Sequence, residues 1–335
     1  MHRPSECHVQ GPGLKHNRLV YRHLTANVEF GGRLRYGDLL SRAPAFALEA
    51  STSQRLFMQM GAFMPTIAFW NLAKKSHLPM LVEFIEENGV EILLVAEQEF
   101  SPAELMLAHA QSTSRSLYSA DIIDSRVRFY SLFPSDRFHP VADDGHVSIK
   151  EYRPLVGSTL LIVGVHLASK LFQREFDQPT EARRLMKRIE EAETLVGHER
   201  TIVLGDFNMN PFEPGMVDSD GLHGVMDRRI AAKLARTVNG QSRRYFYNPM
   251  WKLMGNNSAE ALGTYFRGGG SYVHYFWHTF DQVLLRPSLL ESFREEELRV
   301  VESIGVRSLL ATNPPGIDRR ISDHLPIVFK LNTRI

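Results

Sequence analysis

The stretch TIVLGDFNMNP, residues 201–211, begins as an apolar run and then sets Asp206 and Asn208 two positions apart, directly after Gly205. On extended backbone, residues two apart point to the same side. The segment is then either a polar turn closed by Pro211 or the floor of a reaction site, with Asn210 and Pro211 shaping the exit of the loop. The stretch alone does not decide between these, so partners have to be sought elsewhere in the chain.

Most other strand-like runs end, or begin, in the same way. IAFWN ends at Asn71, VEILLVAE at Glu97 and LLIVGVH at His166, while HTFD opens a run at Asp281 and ISDH opens another at Asp323 and His324. Ionisable groups beside aliphatic strands are costly to bury unless paired or metal-bound. Six such segments point to one polar centre where strand ends meet. Glu97, Asp206 and Asp323 are hard oxygen donors, and Asn71 and Asn208 add neutral ones. That set suits Mg2+ or Mn2+ better than zinc. A hard ion beside two histidines suggests work on phosphate esters, where the ion offsets phosphoryl charge and a histidine moves a proton or contacts an oxygen.

Composition narrows the alternatives. The chain has 335 residues, 43% of them hydrophobic, enough for a sizeable core in one or two domains. Its 39 basic and 38 acidic residues leave a net charge of +1, so any phosphate recognition has to be local. The single cysteine, Cys7, removes intrachain disulfides and cysteine-ligated zinc or iron–sulfur sites. No apolar run reaches the roughly 18 residues of a membrane span, and the start lacks the apolar core of a secretory signal. These features lead to the expectation of a soluble, cytoplasmic protein with no obligate protein partner.

Residues 1–65 are polar, broken by glycine and proline, and without sustained periodicity. They read as an N-terminal extension, flexible or dispensable, with Met64 a plausible alternative start and no catalytic role. From Thr66 the pattern changes. Leu78, Leu81, Phe84 and Ile85 fall at helical spacing with Gly89 at the stop. Ser101 and Glu104 form the signature of a capping box. VRFYSLF, HVSIKEY and STLLIVGVHL read as strands. Residues 179–197 read as an amphipathic helix with Leu185, Ile189 and Leu195 on or near one face. GTYFR, YVHYFW and TFDQVLL read as successive strands around GGG at 268–270, and 215–260 is mixed. No GxGxxG follows the first strand and no GxxxxGK[ST] occurs, so dinucleotide and P-loop readings lose their support.

In this order, IAFWNL, VEILLVAE, GVHLASK, GDFNMNP, FDQVLL and SDHLPIV resemble the endonuclease/exonuclease/phosphatase superfamily, over residues 66 to 331. The resemblance implies an α/β fold: a DNase I-like four-layer α/β/β/α sandwich spanning 66–335, with the site at one edge of two packed sheets. It implies that Asn71 and Glu97, with Asp323, hold Mg2+ or Mn2+, with Glu99 a competitor for Glu97. His166 would donate to a non-bridging phosphate oxygen, Asp206 would orient or deprotonate the attacking water, and Asn208 would hold substrate or transition state. Asp281 would orient His324, which acts as base or phosphate ligand. Gln282, after Asp281, departs from the family's usual tyrosine or histidine.

The implied activity is metal-dependent hydrolysis of phosphodiester bonds, most simply a nuclease acting on nucleic acid. The alternatives are a phosphomonoesterase on a small or lipid phosphate, and an inactive binding protein of the same fold. Structural readings stay open beside these: a helix cap for Asn71, a core histidine for His166, and an Asx-turn for Asp206. FYSLFPSDRFHP and RRYFYNPMW could stack bases or pack loops, Tyr118 and Tyr130 are candidate substrate tyrosines, and Lys170 is a candidate phosphate contact.

Overall fold

The computed structural model describes residues 65–120, 125–169, 177–254, 260–269, 274–313 and 315–332. Apart from Pro65, the expectation for 1–65 lies outside these residues, as does Lys170. The described residues fall within the unit Met60–Ile335.

The first half of the chain forms β1 (Thr66–Asn71), β2 (Ile92–Ala96), β3 (Tyr118–Ser119), β4 (Val127–Ser131), β5 (Phe138–Asp143), β6 (Val147–Tyr152) and β7 (Leu160–His166). The second half forms β8 (Thr201–Asp206), β9 (Gly224–Val225), β10 (Ala235–Val238), β11 (Gln241–Arg244), β12 (Phe246–Tyr247), β13 (Tyr265–Phe266), β14 (Trp277–His278), β15 (Asp281–Leu285) and β16 (Phe293–Val300). Two short ribbons follow, β17 (Ser303–Ile304) with β18 (Arg307–Ser308) and β19 (Leu310–Thr312) with β20 (Pro315–Ile317), and then the last strand, β21 (Ile327–Leu331). The three longer helices are α1 (Leu78–Glu87), α2 (Pro102–Ser112) and α3 (Asp177–Val196).

Two major sheets result, with strand orders β16-β21-β1-β2-β4-β3 and β5-β6-β7-β8-β15-β12-β9. The continuous apolar strands are explained by burial on both faces. Ile67, Phe69, Ile92, Leu94, Ile327 and Phe329 turn inward to meet Leu160, Ile162, Ile202, Leu204, Val283 and Leu285 of the other sheet. The alternate residues of the first sheet, Ala68, Trp70, Leu93, Val95 and Val328, turn outward onto Leu81, Phe84 and Ile85 of α1 and Leu105 of α2. Those of the second, Leu161, Val163, Val203 and Leu284, meet Ala182, Leu185 and Ile189 of α3. Mixed α/β architecture with two sheets flanked by helices is what a four-layer sandwich requires.

The helix signals behave as the residues dictate. Gly89, at φ 58°, follows α1 in the left-handed region that favours glycine. At α2 both halves of the capping box form: Ser101 N–H donates to Glu104 Oε2 (2.7 Å) and Glu104 N–H to Ser101 Oγ (3.3 Å). On α3, Leu185 and Ile189 are buried but Leu195 is 74% exposed. Six residues beyond Ile189 is about 240° around the helix, so Leu195 leaves the apolar stripe and Ala192 takes the inward place. Of YVHYFW, only Trp277 lies in a strand among the described residues, the short Trp277–His278. Within the mixed segment 215–260, the described residues form short helical turns, the β10–β11 hairpin and the small strands β9 and β12.

Strand directions gather the polar ends. β1 and β2 run parallel, as do β7 and β8, so Asn71, Ala96, His166 and Asp206 close their strands at the same end. β15 is antiparallel to β8 and β21 to β1, so the starts of β15 and β21 reach that end too. Gly205 sits at φ 151°, and a Cβ there would lie 2.0 Å from the Val165 carbonyl oxygen. The glycine before Asp206 is therefore required by the close approach of β7 and β8.

Candidate active site

His166 and Asp281 flank Asp206 in register on the two neighbouring strands of one sheet. Asp206 is 1% exposed, so its charge interacts with protein groups far more than with water. Its Oδ2 accepts from Asn71 Nδ2 (3.1 Å) across the sheet–sheet junction. The same oxygen stands 3.8 Å from His324 Nε2 and 3.9 Å from His166 Nε2. Its Oδ1 accepts the Asn208 backbone N–H (2.8 Å). The carboxylate thus closes an Asx-turn with one oxygen and faces both histidines with the other.

Asn208 does not share an extended backbone with Asp206. β8 stops at Asp206, and Asn208 adopts φ 51°, in the left-handed region. Its Nδ2 donates to the Leu167 carbonyl (2.8 Å) and its own carbonyl accepts from Gln178 (2.8 Å), which fixes the loop against α3. Glu97, just past β2, is likewise left-handed, at φ 49°. Such backbone costs about 1 kcal/mol or more and persists where surrounding contacts over-determine it. Glu97 Oε1 lies 3.3 Å from His166 Nε2. The hydrogen bond from His166 holds the Glu97 carboxyl below the usual range despite partial burial. Glu99, its sequence competitor, is exposed on the same cavity wall.

His324 is held from several sides. Its Nδ1 donates to Asp281 (2.8 and 3.1 Å to the two oxygens), and Asp281 is fully buried. Its carbonyl accepts from Trp70 Nε1 (3.1 Å) and its N–H donates to Ser322 Oγ (3.0 Å), whose hydroxyl donates to the Asn71 carbonyl (2.7 Å). Asp323 and His324 do not open the last strand, which starts at Ile327. They lie in the loop before it, where His324 bridges Tyr265, and both side chains line one cavity. Asp323 Oδ1 is 3.9 Å from His324 Nε2.

Burial alone would lower the His324 pKa, but the charges of Asp281, Asp206 and Asp323 push it up to about 10. Burial also raises the Asp206 carboxyl; Asp281 adds to this while His324 and His166 oppose it. Because the folded His324 value lies above the ordinary 6.5, its protonated form stabilises the fold below that pH, and the contribution is lost as pH rises through about 10. In metal-free protein, the ring resonances of His324 are expected not to titrate between pH 6 and 8. A midpoint near 7 by proton NMR would contradict this geometry.

Glu97, His166, Asp206, Asn208, Asp323 and His324 line one cavity of about 1250 Å³. Asn71 and Asp281 stand behind it, bonded to Asp206 and His324. Asp206, Asp281 and His324 bring one ligand atom each within 4.8 Å of one another and could hold a divalent ion. The wider donor set is three carboxylates facing the cavity with two carboxamides and no thiolate, which fits a hard ion. Asn71 is not a helix cap: its Oδ1 accepts the Ala73 N–H (3.0 Å), and α1 begins only at Leu78. Gln282 costs the site nothing. It donates to the Met209 carbonyl (2.6 Å) and accepts from Asn248 (2.8 Å), bracing the loop that follows Asp206.

Most aromatics of the aromatic–arginine stretches pack the core, while Phe133 and Trp251 are half-buried. Phe129, Tyr130, Phe138, Tyr245, Phe246 and Tyr247 are buried, so stacking of bases on them is excluded. The Tyr130 hydroxyl donates to Gln98 (3.0 Å), and Tyr118 is half-buried in β3, outside the cavity lining. Residues that sequence reasoning passed over, Lys74, Arg126, Arg128 and Arg267 among them, line the cavity. Their only signal was a cation near a strand end, which is common on any surface.

No protein-family model matches the chain, and no curated protein is significantly similar to it. Solved structures do align. An endonuclease/exonuclease/phosphatase family protein from Bacteroides thetaiotaomicron covers 80% of this chain and 97% of its own, at 13% identity and a TM-score of 0.47. An AP endonuclease from Archaeoglobus fulgidus covers 80% and 99%, at 13% and 0.47. A truncated TDP2 from Caenorhabditis elegans covers 81% and 98%, at 15% and 0.45. At this level of similarity nothing about the site is transferred from them, and its chemistry rests on the distances above.

Proposed function

We propose that the chain is a divalent-metal-dependent phosphoesterase that cleaves phosphodiesters, with nucleic acid the foremost substrate. The observation that supports this most is the opposition, across one cavity, of the Asp281–His324 pair and the Glu97–His166 pair with Asp206 between them. Glu97 and Asp323, with Asn71 behind them, are the proposed oxygen donors for Mg2+ or Mn2+. When bound, the ion offsets negative charge on the phosphoryl oxygens.

The residues divide the remaining work. His324, its Nδ1 bonded to Asp281, presents Nε2 to the cavity and donates from there to a phosphoryl oxygen. His166 Nε2–H, bonded to Glu97 in this structure, would pass to a second phosphoryl oxygen once Glu97 serves the ion. Asp206, whose affinity for a proton is raised by burial, accepts the proton of the attacking water. Asn208, locked by Leu167 and Gln178, fixes the loop that carries Asp206 and holds the phosphate at its edge. Donors aimed at the charge that develops in the transition state lower the barrier without reorganising. The cavity exceeds the roughly 300–1,000 Å³ of a small-ligand site, which favours a diester with two arms over a small monoester.

A panel of plasmid, single-stranded oligonucleotide, bis-p-nitrophenyl phosphate and p-nitrophenyl phosphate, each with Mg2+, with Mn2+ and with EDTA, tests the reading. Diester turnover abolished by EDTA is expected. Full activity in EDTA, or turnover confined to monoesters, would overturn it.

A further inference from the structure

Asn210 takes no part in the site described so far, yet it is buried and its side chain is fully engaged. Its Oδ1 accepts the Thr279 backbone N–H (3.0 Å), its Nδ2 donates to Glu213 Oε1 (2.9 Å), and the same Nδ2 lies 3.1 Å from His278 Nδ1. The amide cannot be turned over: Oδ1 would then meet the Glu213 carboxylate, and the NH2 group would meet the Thr279 N–H. An amide nitrogen donates and does not accept. His278 Nδ1 must therefore be the acceptor, and the single ring proton resides on Nε2.

His278 lines the same cavity as His324, on the far side of Tyr265. The Tyr265 ring lies 4.8 Å from His324 and 6.0 Å from His278, centroid to centroid, and Phe280 stacks on both Tyr265 and His278. Arg267 belongs to that wall as well. An imidazole fixed with its proton on Nε2 and a guanidinium offer the substrate donors and no ring acceptor. Their complement is an acceptor oxygen one group removed from the reacting phosphate.

We propose that Asn210 is a positioning residue that fixes His278 as the neutral Nε2–H tautomer, and that His278 with Arg267 binds a second phosphate flanking the reacting ester. This rests on the phosphoester reading of the cavity.

Long-range proton–nitrogen correlation spectra of the full chain read the tautomer directly, with His278→Phe identifying the signal. The Nε2–H form is expected in the wild type, and Asn210→Asp, which offers an acceptor in place of a donor, is expected to move the proton to Nδ1 or add one there. His278→Phe keeps the ring stack and removes the donor. It is expected to raise KM for a short oligothymidylate roughly tenfold, to move KM for bis-p-nitrophenyl phosphate far less, and to be partly rescued in His278→Gln. Equilibrium binding of the oligothymidylate in EDTA by fluorescence anisotropy gives the same comparison without turnover, so failure of the hydrolysis reading is seen separately. An Nδ1–H tautomer in the wild type, equal KM effects on both substrates, or no difference in oligothymidylate affinity between wild type and His278→Phe overturns the proposal.

Discussion

Replacing Asp206 by asparagine is expected to lower kcat by roughly a hundred- to ten-thousand-fold, the range for loss of a general base. The carboxamide has nearly the same shape but cannot take the proton of water. It also has one acceptor where two are used: Asp206 accepts from Asn71 on Oδ2 and from Asn208 N–H on Oδ1. One of those bonds is lost, a local cost of about 1–3 kcal/mol. Removing a buried charge beside Asp281 works the other way, so the melting temperature is expected to move by only a few degrees. A second readout separates chemistry from structure. Asp206 is one of the charges that raise the His324 pKa, so the His324 titration should move down in this variant. Near-normal turnover in Asp206→Asn, with the fold intact by circular dichroism, would remove Asp206 from the reaction.

The largest stability effect is expected far from the cavity. Arg286 is fully buried, with Nε 2.8 Å and Nη2 3.1 Å from the two oxygens of Glu193. Its Nη1 donates to the Tyr245 carbonyl (3.2 Å), and the guanidinium lies 4.1 Å from the centre of the Phe246 ring. Glu193 keeps other partners, Thr201 Oγ1 at 2.7 Å and Arg244 Nη1 at 3.2 Å, but these do not replace a fork of two bonds. Arg286→Met leaves a buried carboxylate under-compensated, which costs about 3–5 kcal/mol. The pair ties α3 to the β8–β15–β12 part of the second sheet, whose far strand ends carry Asp206 and Asp281. Urea unfolding should show the loss, and Arg286→Met with Glu193→Leu should recover much of it. Lys187→Ala serves as contrast: its pair with Glu191, 3.8 Å apart, is exposed, and its removal should change stability by less than about 0.5 kcal/mol. Equal effects of Arg286→Met and Lys187→Ala would contradict this account.

Much of the site was legible because apolar strands ending in polar groups are a strong pattern. Asn71, Glu97, His166, Asp206, Asp281, Asp323 and His324 were all found that way, and the structure brings all of them to one cavity or directly behind it. Backbone geometry was less legible. The left-handed conformation of Glu97 leaves no mark in residue type, and that of Asn208 only the weak one that asparagine tolerates such backbone. Residues whose role depends on a distant partner were not visible at all. Arg286 pairs with a glutamate 93 positions away, and Asn210 reaches His278 across 68. In the sequence they are an ordinary arginine and an ordinary turn residue. The arginine–aromatic stretches stayed open between stacking bases and packing loops for the same reason, because an aromatic that stacks on a ligand and one that fills a core are the same letter.

The sequence by itself determined the long apolar strands, the helices between them, and which residues at or near strand ends are carboxylates, carboxamides and histidines. Those properties follow from local periodicity and from the cost of placing polar groups beside buried aliphatic ones. Only the tertiary structure decided which groups face each other: that Asp206 stands between two histidines, that Asp281 holds His324, and that Asn210 reaches His278. Electrostatic and hydrogen-bond energies change over one or two ångströms, and distances of that size are set by the packing of sheets whose strands lie far apart along the chain.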